Sequence, residues 1–209
     1  MRFYDCKTAP SPRRVRVFAA EKGMQLDTVQ VDLANGEQFG AEFRQINPDC
    51  VVPVLELDDG TRLTEVVAIC QYLEGLQAEP ELFGTSLAER ALVTMWNTKI
   101  EQQGFIAAQD AFRNAAKGLK QHAMTGPTEF AQIPELAKRG REQMSLFFDR
   151  LDGQLADNTF IAGENYSIAD ISTMVVIDFV AWIKITIPED AANLARWYAS
   201  VSNRPSASA

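Results

Sequence analysis

Asn47-Pro-Asp-Cys-Val-Val-Pro-Val-Leu-Glu-Leu-Asp-Asp-Gly-Thr-Arg-Leu-Thr-Glu-Val-Val-Ala-Ile-Cys-Gln-Tyr-Leu73 packs the punctuation of a fold into under thirty residues. Val54 to Leu57 is a short apolar run with Glu56 as its one polar position, which reads as a buried strand. Asp58-Asp59-Gly60 predicts a tight primed hairpin turn, because Asp-Gly suits positive φ angles. Arg62 and Leu63 supply the returning strand. Thr64 or Glu65 then opens a helix with Val66, Ile69, Cys70 and Leu73 along one face. Pro53 stands where the first strand should begin. A proline cannot donate to a ladder there and marks a special backbone geometry, a cis bond among the options.

Upstream, residues 2–5 read as a strand and Thr8-Ala9-Pro10-Ser11-Pro12 as a loop. Ser11 suits a helix N-cap and Pro12 the first helical position. Val15, Phe18, Ala19 and Lys22 mark one helix face, which Gly23 can terminate. Val29, Val31 and Leu33 alternate with polar residues as a half-buried strand, and a short helix falls near Glu42 to Ile46. The order is strand, helix, strand, helix, strand, strand, helix. That order describes an α/β thioredoxin-like domain over residues 1–77.

Residues 78–86, with Pro80 and Gly84, read as a linker, and residues 87–209 as an all-helical domain. Helices are expected from Leu87 to about Ala116 and from Leu136 to Ala156, with a loop at Gly126-Pro127. Gly140 lies inside the second, a cost of about 1 kcal/mol against alanine unless close packing requires it. Ser167-Ile-Ala-Asp170 is a capping box, flanked by Tyr166 and Ile171 in staple positions.

Bulk properties exclude several classes. The 209 residues can bury a substantial core, and 46% hydrophobic with 23% charged residues is ordinary for a soluble globular protein. A net charge of −8 argues against sequence-independent nucleic-acid binding. No apolar run suffices for a membrane helix, and the N-terminus carries no signal-peptide core. Cys6, Cys50 and Cys70 suit reduced thiols in a cytoplasm, and there is no Cys-x-x-Cys. The lone His122 builds no metal site. Arg13, Arg14 and Arg16 read as a solvated basic face or as positive potential near an anionic ligand.

The decisive stretch resembles the glutathione-binding half of the cytosolic glutathione transferases, of the bacterial serine or theta-like kind. Asn47-Pro48, Val52-Pro53-Val54-Leu55, the acidic turn, Thr64-Glu65, Ala68-Ile69 and Tyr72-Leu73 match that pattern in order and spacing. Phe160 to Gly163 and the capping box resemble the family's C-terminal signature. Two positions depart. The family's usual catalytic serine falls on Ala9, and the serine after the glutamate is Val66.

The resemblance implies two domains, a homodimer, glutathione as co-substrate and no metal. Glutathione sulfur would lie at the N-terminus of the first helix, where the dipole favours a thiolate. With Ala9 at the serine position, Thr8 or Ser11 is the candidate hydroxyl, against readings as loop residue and helix cap. Val52, before Pro53, would pair with the peptide through its backbone; Glu65 would take the γ-glutamyl amine and the Val66 amide its carboxylate. Gln38 is the candidate for the glycine carboxylate. The implied reaction is attack of the thiolate on a small hydrophobic electrophile held against the helical domain. A glutathione-dependent disulfide reductase or peroxidase, and a non-catalytic ligand- or partner-binding member, stand as alternatives. Neither nucleic acid nor membrane is an expected partner.

Overall fold

β1 (Arg2–Asp5) lies inside a four-stranded sheet of order β2-β1-β3-β4 in the computed structural model, which describes residues 1–209. The chain divides into two compact units. One comprises Met1–Pro80 with Met124–Glu129 and Ala209; the other comprises Glu81–Ala123 with Phe130–Ser208.

In the first unit α1 (Pro10–Glu21) links β1 to the parallel strand β2 (Asp27–Gln30). A 3₁₀ turn at Glu37–Phe39 and α2 (Ala41–Ile46) lead to β3 (Val54–Glu56), β4 (Arg62–Leu63) and α3 (Val66–Leu76). β3 runs antiparallel to both β1 and β4. The thioredoxin-like order read from the sequence is the observed one. α1 and α3 pack together, burying Val15, Phe18 and Ala19 from one and Val66, Ile69, Cys70 and Leu73 from the other. α1 ends as a Schellman motif: Gly23 at φ 64° donates to the Ala20 carbonyl and Met24 to that of Ala19. Lys22, its cap, is fully buried and donates to the Ala78 carbonyl at 2.8 Å and to Pro80, while pairing with Glu74.

Three local expectations change. α1 begins at Pro10 with Ala9 as N-cap, so Ser11 is the second helical residue and caps nothing. Two prolines compete for the first helical position, and the earlier one takes it. β2 ends at Gln30 and is exposed along its length, because it is the outer strand of the sheet; Val29 stays 36% exposed. The hairpin is a three-residue loop rather than a primed two-residue turn. Leu57 donates to Thr61 at 2.8 Å, Gly60 alone takes positive φ, at 85°, and Asp59 instead accepts from the Thr61 amide.

The second unit is helical: α4 (Leu87–Lys99), a π-helical segment Ile100–Phe105, α5 (Ile106–Arg113), α6 (Pro134–Leu155), α7 (Ile168–Ala181) and α8 (Ala192–Ser202). The Ser167–Asp170 box forms around a fully buried carboxylate. Asp170 accepts from the Ile161 and Ser167 amides, the Ser167 hydroxyl and the Trp197 indole. Burial pushes its pKa up to about 6 against those donors. A second box, Ser86 with Glu89, starts α4.

Gly140 has its reason in packing. A Cβ there would stand 2.5 Å from the Ala107 carbonyl oxygen and 2.7 Å from the Ala111 nitrogen, both backbone atoms of α5. Gly140→Ala therefore lowers the unfolding free energy by about 2 kcal/mol despite alanine's better helix propensity. Urea unfolding of both proteins checks this, and an unchanged midpoint would mean that α5 and α6 separate freely.

Candidate functional site

The antiparallel register pairs Tyr4 with Val54, so one step further sets Asp5 opposite Pro53. The corner after β1 and the segment before β3 are thereby neighbours. Cys6 to Ala9 turn that corner, with the Ala9 amide donating to the Cys6 carbonyl at 2.9 Å. The Val52–Pro53 peptide is cis. Asn47, 2% exposed, holds the approach to it by donating to the Val51 carbonyl at 2.9 Å and accepting from the Asp49 amide. The Val52 side chain packs on the core of Tyr4, Val31, Phe43 and Val54. Its N–H and C=O make no hydrogen bond within the chain, leaving a peptide-like ligand an edge to pair with.

Two helix N-termini in this unit are left open. α4 and α7 close theirs with capping boxes, α2 and α6 carry Glu42 and Glu135 in the first turn, and Asp152 accepts the Leu194 amide of α8 at 2.9 Å. α1 and α3 have neither a side-chain cap nor an acidic residue in the first turn. Each offers the positive end of a helix dipole, worth about 0.3–2 kcal/mol to an anion.

Their donors differ in number. In α1, Pro10 and Pro12 have no N–H and Arg13 donates back to the Ala9 carbonyl at 3.3 Å. Ser11 alone keeps a main-chain donor, and its half-buried hydroxyl is also unengaged. In α3, Val66, Val67 and Ala68 precede the first bonded amide, that of Ile69, which donates to Glu65 at 3.0 Å.

Glu65, the α3 N-cap, sits at φ 64° and ψ 126°, a conformation that costs a non-glycine residue about 1–3 kcal/mol. Its exposed carboxylate caps nothing. The Val66 side chain turns into the core at 5% exposure, so only its amide faces outward. Thr8 is exposed, with its hydroxyl 3.5 Å from the Cys6 sulfur. Gln38, in the 3₁₀ turn, has a buried Oε1 without a partner.

The basic run is not a solvated face. Arg14 is 4% exposed, and Arg16 forms an ion pair with the buried Asp5. The cysteines are all buried, with Cys70's thiol pushed up by desolvation. Tyr4 packs edge-on against Phe43 and belongs to the core. No cluster of three or more His, Cys, Asp or Glu forms a metal site, and no helix is long and apolar enough to cross a membrane.

A parallel-then-antiparallel sheet with two open helix ends and a cis-proline between them is the arrangement of a thioredoxin-like domain. Residues 8–76 match the model of the glutathione S-transferase N-terminal domain and residues 91–205 that of the C-terminal domain. Glutathione S-transferase 2 of Saccharomyces cerevisiae is 34% identical over 209 residues, covering 99% of this chain and 87% of the yeast protein. A glutathione S-transferase domain-containing protein of Marinobacter aquaeolei superposes with TM-score 0.90 at 38% identity, covering 99% of each chain. Gtt2 of Saccharomyces cerevisiae superposes with TM-score 0.89 at 34% identity over 99% of this chain and 98% of that one. The chain belongs to the glutathione S-transferase family.

Glu65→Gly separates the two demands on that residue. Glycine relieves the positive φ at some entropic cost, so the protein gains about 1 kcal/mol, and any weakening of glutathione binding reads the carboxylate separately. Thermal unfolding with calorimetric titration reads both; a loss of apo stability would show that the Glu65 conformation is unstrained.

Proposed function

We propose that the protein conjugates glutathione to small hydrophobic electrophiles, with residues 1–77 binding glutathione and residues 87–209 forming the helical domain. The observation that carries this reading is the pair of open N-termini, α1 and α3, with neither a side-chain cap nor a first-turn acid, where α4 and α7 close theirs with capping boxes and α8 with Asp152. Glutathione near neutrality carries two carboxylates and one ammonium, and its γ-glutamyl carboxylate and its thiolate bring one negative charge to each open helix end. Its γ-glutamyl carboxylate takes the Val66 to Ala68 amides and its amine takes Glu65. Its cysteinyl peptide pairs with Val52 ahead of Pro53, and Gln38 takes the glycine carboxylate through the donor side of its carboxamide.

The sulfur then lies at the start of α1. The Ser11 amide and hydroxyl donate to the thiolate, and the thiol proton passes to solvent. Sulfur attacks the electrophilic carbon, a carbon–sulfur bond forms, and the leaving group departs with its electron pair. Of the two hydroxyls Ser11 is the better candidate, because that of Thr8 is engaged by Cys6. The buried cysteines favour conjugation by a bound thiol over chemistry at the chain's own sulfurs.

We further assign the protein to the cytoplasm, with a detoxifying role and no resident metal, as a homodimer. Leu87, Leu92 and Met95 leave an apolar strip on α4 at 86%, 43% and 40% exposure, which a second copy would cover.

The test is retention on immobilised glutathione followed by conjugation of a chlorinated nitrobenzene. Retention with turnover is the expected result, and the absence of both overturns the proposal. Ser11→Ala should lower kcat about tenfold, the worth of one hydrogen bond to a charged sulfur, and Thr8→Ala should change it less than about twofold. The reverse order would move the role to Thr8.

A further inference from the structure

Asp5 is the last residue of β1, 1% exposed, and nothing in the proposed reaction uses it. Its Oδ1 accepts from Arg16 Nη1 at 2.5 Å and its Oδ2 from Gln30 Nε2 at 2.6 Å. Each of these partners has a second bond, and both second bonds land on one residue. Arg16 Nη2 donates to the Lys7 carbonyl at 3.0 Å, and Gln30 Oε1 accepts from the Lys7 amide at 2.9 Å. Lys7 is the second residue of the Cys6–Ala9 turn, whose end sets the N-cap of α1. One buried carboxylate thus grips, through two side chains from α1 and β2, both main-chain polar groups of Lys7 in the corner that leads to the candidate thiolate site.

We propose that Asp5, Arg16 and Gln30 are positioning residues, which hold the Cys6–Ala9 corner so that the Ser11 donors meet the glutathione sulfur. The inference rests on the glutathione reading above and deepens it. Its physical need comes from the poverty of the α1 terminus. Pro10 and Pro12 leave only the Ser11 main-chain donor, so a small rotation of the corner removes the main-chain contact and no neighbouring amide replaces it. The α3 terminus has three successive donors and tolerates such a shift. Arginine suits the role because its planar fork reaches the Asp5 carboxylate and the Lys7 carbonyl together, which an ammonium group cannot do. The carboxylate suits it because two charged or dipolar partners must be drawn to one buried point, and the guanidinium compensates the charge buried there.

The test uses Arg16→Lys and Gln30→Met in the full-length chain. Lysine keeps a cation for Asp5 and gives up the Lys7 carbonyl. Methionine keeps the length of the exposed Gln30 side chain and gives up both the Lys7 amide and Asp5 Oδ2, leaving the Asp5–Arg16 pair in place. Calorimetry gives the glutathione Kd, and steady-state kinetics give kcat and the pH profile of kcat/KM. The expected result is a Kd within about threefold of wild type, since Val52, Glu65 and α3 are untouched. The apparent pKa of the thiol in kcat/KM rises by about one unit, which lowers kcat at neutral pH about tenfold. A purely architectural network would lower the melting temperature and leave the profile superimposable on wild type, and that result overturns the inference. Should Arg16→Lys not fold, Gln30→Met alone decides. A wild-type protein that neither binds nor conjugates glutathione overturns this inference together with the function it rests on; an active wild type with unshifted variants overturns only the positioning role.

Discussion

The pairing of β1 with β2 on one side and β3 on the other is the constraint from which the site follows. Parallel pairing with β2 obliges α1 to cross over and start at the end of β1. Antiparallel pairing with β3 brings Pro53 opposite the last residue of the same strand. The start of α1 and the unpaired main chain at Val52 are therefore adjacent by topology, before any side chain is chosen. β4 and the three-residue loop after Leu57 then return the chain so that α3 begins on the same unit and packs on α1.

Within that frame, stability and function divide the helix ends between them. α4 and α7 close their N-termini with the Ser86–Glu89 and Ser167–Asp170 boxes and α8 with Asp152, and Thr85 and Ser86 hold the Glu89 carboxyl down to about 2. α1 and α3 forgo that stabilisation, and Glu65 adds backbone strain to the account. Unspent donors and an uncapped carboxylate on a strained backbone make sense where a ligand supplies the missing charge. Two hydroxyls usual in the family are absent, at Ala9 and Val66, yet the main chain at both places is intact. The proposed site rests on amides and dipoles, which a side-chain substitution does not delete.

Much of this was legible in the sequence because it was written in backbone-determining residues. Proline at 53, glycine at 23 and the Ser167–Asp170 box fix local conformations directly, while Asp59-Gly60 placed the hairpin but not its loop length. The strand and helix order followed from periodicity. What escaped reading depended on tertiary geometry. Arg14 and Arg16 look like a solvated face until the sheet places Asp5 beneath the helix. Ser11 looks like a cap because side-chain type favours it, while Pro10 starts the helix two residues before the expected Pro12. Glu65's positive φ and the convergence of Arg16 and Gln30 on Lys7 leave no trace in residue spacing, since both arise from segments far apart in the chain.

The central claim is that an open, proline-flanked helix start stabilises a bound thiolate. Ultraviolet titration of the glutathione thiol in the binary complex measures this directly. The bound thiol is expected to ionise at least about one unit below a free thiol near 8.5, with loss of the thiolate band as pH falls through the lowered value. A bound thiol that titrates like free glutathione would contradict it.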